Sequence, residues 1–339
     1  MTIAIDIELP PDDDYVGTSD DDFGDACSIL VPVDVMQPGI IQSIAANGVE
    51  VQEDTNPAWS SSATYNAGDR VYVLDTHRVY ESAKSGNTGK NPADLVNQFN
   101  AAGQATWWID IGPTNRAAMF DGLISSQTSV PSPLVIRMTP GAFNGFALFG
   151  IDADSYSVDV RSSPGGELIY SEPTTKLDGN QPADYYDYFF GRSKPLTQFI
   201  KSGIDPYSSA EIALTLTKGS GNVKLGMFAI GDLRPVGVPQ RDAKVEPQDF
   251  SVVKQDAFGN TTVKRRANAT GMSISCIMPR EDAGTVLNTI KDTLGIPCVV
   301  VGSSALFYEW LTVFGLVSAS MSPNPYPYAT VSITVKGLI

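Results

Sequence analysis

The sequence predicts a mainly β, multi-domain protein: a small aromatic-rich module, a jelly-roll-like β-sandwich and a C-terminal α+β domain. Three observations lead there. Charged residues make up only 18% of the chain while Gly numbers 30 and Pro 23, a composition that suits many short strands joined by tight turns. Short alternating apolar segments recur between clusters of Gly, Pro, Asn, Asp and Ser. At 339 residues the chain exceeds one ordinary core, so two or three domains are expected.

Residues 1–56 read as an acidic arm followed by an edge strand. Nine acids (Asp6, Glu8, Asp12, Asp13, Asp14, Asp20, Asp21, Asp22 and Asp25) fall in residues 1–25 with no Lys or Arg, which favours a solvated tail. Residues 28–35 alternate but carry Pro32, which cannot donate to a ladder, so this strand is expected at a sheet edge.

Residues 57–114 concentrate aromatics: Trp59, Tyr65, Tyr80, Trp107 and Trp108, with turns at Asn66-Ala67-Gly68-Asp69 and Gly86-Asn87-Thr88-Gly89. Such density either builds a miniature core or presents rings to the C–H faces of sugars.

Residues 115–238 change texture to short alternating strands at 134–138, 147–151, 156–161 and 167–171. Segments 211–217 and 223–230 flank Lys218-Gly219-Ser220-Gly221-Asn222 and read as a β-hairpin. Strands at this spacing indicate a sandwich or jelly roll. Residues 233–244, with Pro235 and Pro239, read as a linker.

Residues 239–339 read as an α+β assembly domain. Segments 250–256 and 261–266 flank Phe258-Gly259-Asn260 as a second hairpin, and 269–277 is a further strand. Ala283, Val286, Leu287, Ile290 and Leu294 recur at helical spacing, and Gly295 follows as a stop. Strands at 297–301, 310–318 and 330–336 complete the unit.

Several function classes are disfavoured. Without the nine N-terminal acids the net charge of −15 becomes 29 acids against 23 bases, and no concentrated cationic face exists for nucleic acid. Cys27, Cys276 and Cys298 are too few and unevenly counted for a disulfide framework and are expected as reduced core thiols. No basic n-region precedes an apolar stretch, so no signal peptide is expected. The most apolar window, 297–321, is broken by Gly302, Ser303, Ser304 and Glu309 and suits two strands, not a membrane span.

No cofactor and no metal site is expected. His77 is the sole histidine and reads as a surface imidazole on an alternating strand. The Asp12–Asp14 and Asp20–Asp22 runs do not match a calcium loop. Asp152 with Asp154, or Asp184 with Asp187, have the residue type of a glycosidase pair but are better explained as turn formers. Gly86–Lys90 lacks phosphate-loop spacing. With no catalytic constellation, the chain is read as non-enzymatic. Lys264-Arg265-Arg266 is the one basic cluster and could pair with an acidic arm of a neighbouring subunit, while Tyr185–Phe190 fills a core or an inter-subunit contact.

The pattern W-x5-Y-x2-G-D-x-V, then Y-E-S, then P, then W resembles the small chitin-binding modules of bacterial chitinases. Trp59, Tyr65, Gly68, Asp69, Val71, Tyr80, Pro92 and one of Trp107–Trp108 occupy the matching positions. The resemblance implies a three-stranded sheet around a module core of Trp59 and Tyr65, with Tyr80, Trp107 and Trp108 as candidate glycan contacts. One departure stands out: Ala83, Lys84 and Ser85 replace the exposed tryptophan usual after the second tyrosine.

A broader resemblance covers roughly residues 57–339. Y-E-S-A-K-S-G-N-T-G-K-N-P, W-W-I-D-I-G-P-T-N-R-A-A-M-F-D-G, P-C-V-V-V-G and L-T-V-F-G-L-V-S are similar to structural proteins of tailed bacteriophages. It implies a virion protein at the distal tail or baseplate, assembled in the host cytoplasm as a homo-oligomer (trimer or hexamer) with other phage tail proteins, and a module facing host cell-surface glycan. The alternative from another class is a glycan-binding accessory protein or a component of a carbohydrate-active enzyme. A third reading makes the module a rigid structural insert.

Overall fold

The computed structural model describes residues 26–177, 196–255, 258–265, 268–303, 308–324 and 327–338. The acidic segment 1–25, Asp184, Asp187, the aromatic run 185–190 and Arg266 lie outside the described residues.

Three strands open the described chain: β1 (Cys27–Pro32), β2 (Ile41–Ala46) and β3 (Val49–Glu50). The aromatic module follows with β4 (Thr64–Tyr65), β5 (Arg70–Val73), β6 (Arg78–Ser82), β7 (Asn87–Thr88), the one-turn helix α1 (Leu95–Gln98) and β8 (Trp108–Pro113). Next come β9 (Thr128–Pro131), β10 (Leu134–Met138), β11 (Gly145–Phe149), β12 (Ser155–Arg161), β13 (Leu168–Lys176), β14 (Gln198–Lys201), β15 (Glu211–Thr217), β16 (Asn222–Leu225) and β17 (Met227–Pro239). The last third holds β18 (Lys244–Asp249), β19 (Val252–Gln255), β20 (Thr261–Lys264), β21 (Asn268–Pro279), α2 (Ala283–Thr293), β22 (Pro297–Val301), β23 (Thr312–Pro323) and β24 (Tyr328–Gly337).

Two large sheets organise the body. A nine-stranded sheet runs β14-β11-β17-β1-β22-β23-β24-β21-β18, and a six-stranded sheet runs β13-β12-β15-β10-β2-β3. They face each other across one core. Ile44, Leu134, Ile136, Val158, Leu214 and Leu216 of the smaller sheet meet Phe146, Leu148, Phe228 and Ile230 of the larger one. The alternate residues Ala147, Phe149, Met227 and Ala229 cross to the opposite face and pack with Leu30, Val299, Val301 and Phe314. A strand buried on both faces has no polar side to show, which is why β11 and β22 read as unbroken apolar runs. Cys27, Cys276 and Cys298 belong to a third cluster, with Val286 and Ile290 of α2.

The structure corrects three expectations. The first strand is not at an edge: β1 pairs antiparallel with β17 on one side and β22 on the other. Pro32 is tolerated because it is the last residue of β1, and the next amide, Val33, already donates to Ile230 O at 2.8 Å. Second, segments 211–217 and 223–230 do not form a hairpin. Both flanks of β15 are taken, by β10 and β12, so the chain leaves the six-stranded sheet at Lys218. Ser132 Oγ accepts the Lys218 N–H at 2.8 Å and Asp154 Oδ2 accepts that of Gly219 at 2.7 Å, which turns the chain towards β16 and its partner β9. Third, residues 233–239 are not a linker. They continue β17, which pairs with β1 and ends against β21 through Val238 and Pro239. The anticipated boundary at 238/239 therefore falls inside a strand.

Other local readings match what is found. The hairpin β19–β20 pairs Val253 with Val263, and α2 ends just before Gly295, whose φ is +77°. Strands β22 and β23 pair antiparallel across the apolar window.

Two outcomes follow from this packing. A Cβ on Gly231 would collide with Val31 O where β17 passes β1, whereas one on Gly284 in α2 meets nothing within 4 Å. Gly231→Ala should lower the urea midpoint by the equivalent of about 1–3 kcal/mol or more, and Gly284→Ala should raise it by about 0.5–1 kcal/mol. The thiols give the second. Cys27 is held well above the usual thiol range by its hydrogen bond to Cys276 and by burial, and burial pushes Cys298 up to about 12. Raised values keep Cys27 and Cys298 protonated at pH 8, and all three thiols are buried out of reach of a reagent. A disulfide-exchange reagent should therefore find no reactive cysteine at pH 8 until denaturant is added; prompt labelling of the native chain would contradict the packing.

Candidate functional site

The module is built around one indole. Trp108 is fully buried, and the Tyr65 ring meets it edge-on with centroids 5.3 Å apart and planes at 65°. Val71, Val73 and Tyr80 complete this core, with Trp59, Ala63, Ala93 and Trp107 packed against it. The strands form a three-stranded sheet, β5-β6-β8, beside the two-stranded pair β4–β7. The turn between β4 and β5 needs Gly68 at φ +91°, and Asp69 Oδ2 accepts the Asn66 N–H at 2.7 Å to close it.

The two ends of the module are laced to the body at one point. Glu53 Oε1 accepts the Thr114 hydroxyl at 2.6 Å and lies 2.7 Å from His77 Nδ1. Arg116 Nη1 donates to Val51 O at 2.7 Å and its Nη2 lies 2.8 Å from Glu50. His77 is thus not on an alternating strand, as its sequence context suggested. It occupies a turn at φ +52° between β5 and β6, facing the root. A cleft of about 670 Å³ opens beside it, lined by Met36, Leu74, His77, Arg78, Phe120 and Asp121. Burial raises the Asp121 carboxyl above its ordinary value, against the lowering pull of Ser126 and Leu123. Arg78 is already engaged by Asp110 at 2.6 Å. This cleft is a joint between module and body in which Met36, Pro38, Leu74, Pro113, Ala117 and Phe120 supply most of the lining.

The candidate contact residues separate. Tyr80 is 2% exposed and Trp108 0%, so neither ring can meet a sugar, and both are corrected to core residues. Their polar ends are satisfied inside: Tyr80 Oη donates to Thr76 Oγ1 at 3.2 Å and Trp108 Nε1 to Lys90 O at 2.8 Å. Tyr65 is buried and Trp59 half-buried against the same cluster. Of Tyr80, Trp107 and Trp108 only Trp107 is partly exposed, as Trp59 is elsewhere in the module; Trp108 points inward, and adjacent residues of an extended chain point to opposite sides. The ammonium groups of Lys84 and Lys90 lie over its ring, 5.4 Å and 5.6 Å from the centroid.

A further feature escaped the sequence reading. Leu95, Val96 and Phe99 in and after α1, with Ile109 and Ile111 on β8, are all exposed. Trp107 N–H donates to Asn97 O at 3.0 Å, which ties the backbone of α1 to that of Trp107. The signal was legible as L-V-N-Q-F, but an isolated apolar pentapeptide does not say whether it faces in or out. The Asp152–Asp154 pair is occupied structurally: Asp152 pairs with Lys218 at 2.5 Å and Asp154 accepts Gly219 N–H. Among the described residues no group of three His, Cys, Asp or Glu side chains is placed to hold a metal ion, and no helix is long and apolar enough to cross a membrane.

No protein-family model matches the chain, and no curated protein does. Among solved structures, it is similar to a mutant of chitosan-binding module 1 derived from a chitosanase/glucanase from Paenibacillus sp. IK-5. The identity is 16%, over 34% of this chain and 82% of that one, with a TM-score of 0.24. A TM-score so low carries neither fold nor ligand from one protein to the other.

The two neighbouring tryptophans should behave differently when truncated. Trp108→Ala should destabilise the module by about 3–5 kcal/mol, read as rapid amide exchange and proteolysis within residues 57–114. Trp107→Ala should leave that protection in place.

Proposed function

We propose that this chain is a non-enzymatic structural protein of a tailed-phage virion, placed at the distal tail or baseplate and assembled as a symmetric homo-oligomer. In this reading residues 57–114 form a surface module that contacts host glycan through Trp107. The similarity of its sequence strings to phage structural proteins supports the virion assignment. The geometry of the module supports the glycan contact, and one observation carries it: a partly exposed indole with two ammonium groups over its ring, on a module whose entry and exit are laced together at Glu53. An indole face accepts the C–H face of a sugar with little need of polar partners.

Two measurements test this. Antibody against the chain should label the distal end of tails by electron microscopy, and labelling confined to capsids, or of no particle, would refute the assignment. The purified chain should be retained on cell-wall polysaccharide, with Trp107→Ala reducing retention; loss of one stacking ring corresponds to about 1 kcal/mol. Equal host adsorption by virions lacking residues 59–108 would instead favour a purely structural insert.

A further inference from the structure

The loop between β6 and β8 is more than the place where a tryptophan is missing. Its two lysines have backbones fixed from inside the module. Ser82 Oγ, on a residue 1% exposed, donates to Lys84 O at 2.9 Å, and the buried Trp108 indole donates to Lys90 O at 2.8 Å. Between them Asn87 is fully buried, its Nδ2 donating to Ser82 Oγ at 3.0 Å, while β7 pairs with β4. Gly86 and Gly89 take φ of +74° and +68°, so the loop folds back on either side of this anchor. Ala83 N–H closes the arrangement on Trp107 O at 2.8 Å. Both lysine side chains are therefore launched from locked positions towards the same indole.

Their charge is uncommitted. The module's other cations are Arg70 and Arg78, and each has a carboxylate partner, Glu81 at 2.8 Å and Asp110 at 2.6 Å. Lys84 and Lys90 form no ion pair among the described residues and are exposed. Residues 82–93 contain no Asp or Glu. Residues 57–114 as a whole hold five acids and four bases, against the net −15 of the chain, so the module is a nearly neutral island carrying one positive spot.

We propose that this spot, resting on the reading of Trp107 as the glycan contact, selects acidic glycans: a sugar ring on the indole with its carboxylate or phosphate between the Lys84 and Lys90 ammonium groups. The negative face of the indole attracts an ammonium and a sugar C–H face for the same reason. A neutral sugar has to compete with the lysines for that face. An acidic sugar does not: its anion draws the ammonium groups aside into charge-assisted hydrogen bonds while its C–H face takes the ring. Locked backbones with free side-chain ends suit this exchange, since only the lysine tips must move.

The test uses the intact chain against four immobilised polymers: polygalacturonate for the carboxylate, a teichoic-acid-type polymer for the phosphate, chitin for a neutral sugar, and poly-L-glutamate for charge without sugar. Binding to either acidic glycan above chitin and poly-L-glutamate is expected, and the arm that binds identifies the anion. Lys84→Gln with Lys90→Gln should weaken that binding about tenfold and flatten its salt dependence, while chitin binding, freed of the lysines' competition for the ring, should not fall. Trp107→Ala should weaken every glycan arm. Binding to chitin alone, indifferent to the lysine substitutions, would overturn the acidic selectivity and leave the glycan contact standing. Equal binding to poly-L-glutamate would reduce the site to a charge patch and overturn the proposal. Absence of any Trp107-dependent glycan binding would remove the glycan contact itself.

Discussion

Ser28, Ile29 and Leu30 pair with β22 on one side while residues 27–32 pair with β17 on the other, so the earliest described strand closes a sheet assembled from the far end of the chain. Among the described residues the sheet's two halves are otherwise joined through the two-residue ladder of Val238 and Pro239 with Ile277 and Cys276. The double-sided pairing of β1 is thus the constraint that makes one body of two cores. Its requirements are local and strict. Gly231 must lack a side chain for β17 to pass close to Val31, and each residue of β1 must suit a different face, Ile29 with the α2-side cluster and Leu30 with Phe149 and Phe314. Pairing across some two hundred residues also means a high contact order, so folding should be slow compared with that of a locally paired β protein.

The module depends on that body at its root, and its two requirements differ. Its interior needs a small apolar cluster around Trp108, large enough to exist only because the indole contributes so much area for one residue. Its placement needs polar groups. Glu53 receives the Thr114 hydroxyl and His77, and Asp54 receives Asn115 N–H at 3.0 Å, so entry and exit strands are held together by carboxylates from the segment before the module. A module tethered at two laced ends loses less freedom on engaging a partner than one on a flexible linker, and less of the contact energy is spent on ordering.

Much of the fold could be read from local pattern, and the misses share a cause. The helix of Val286 and Ile290, the β19–β20 hairpin and the strands over 297–301 and 312–318 carry their signals within a few residues. What failed was any inference about the second neighbour of a strand. Pro32 suggested an edge because its own amide is missing, yet its position as the last residue of a central strand satisfies the same rule. Lys218–Asn222 has hairpin composition, but β15 had no free edge to offer β16. The site was half legible for a related reason. Period-two alternation says that Trp107 and Trp108 face opposite ways and leaves open which one is inside. Nothing in the spacing of Leu95, Val96 and Phe99 tells that the module leaves them outside.

The replacement of an aromatic by Ala83-Lys84-Ser85 reads from sequence as a loss, and the geometry changes its meaning. A ring opposite Trp107 would extend a neutral stacking surface. Two ammonium groups over the same ring exploit the same quadrupole with the opposite partner, and keep a positive charge where the proposed glycan would arrive. In the proposed reading one stacking ring contributes about 1 kcal/mol, so a single module would hold a ligand briefly. That weakness is useful in the proposed setting. On a symmetric oligomer facing a polymer of repeating sugars, a second module engages at the effective concentration fixed by the first, and avidity rises without any stronger contact. Weak individual contacts also let the assembly release and rebind along a surface, which a single tight pocket would prevent. The rigid root and the shallow, charged indole are then parts of one solution: fixed geometry supplies the simultaneous reach, and the modest pairwise energy supplies reversibility.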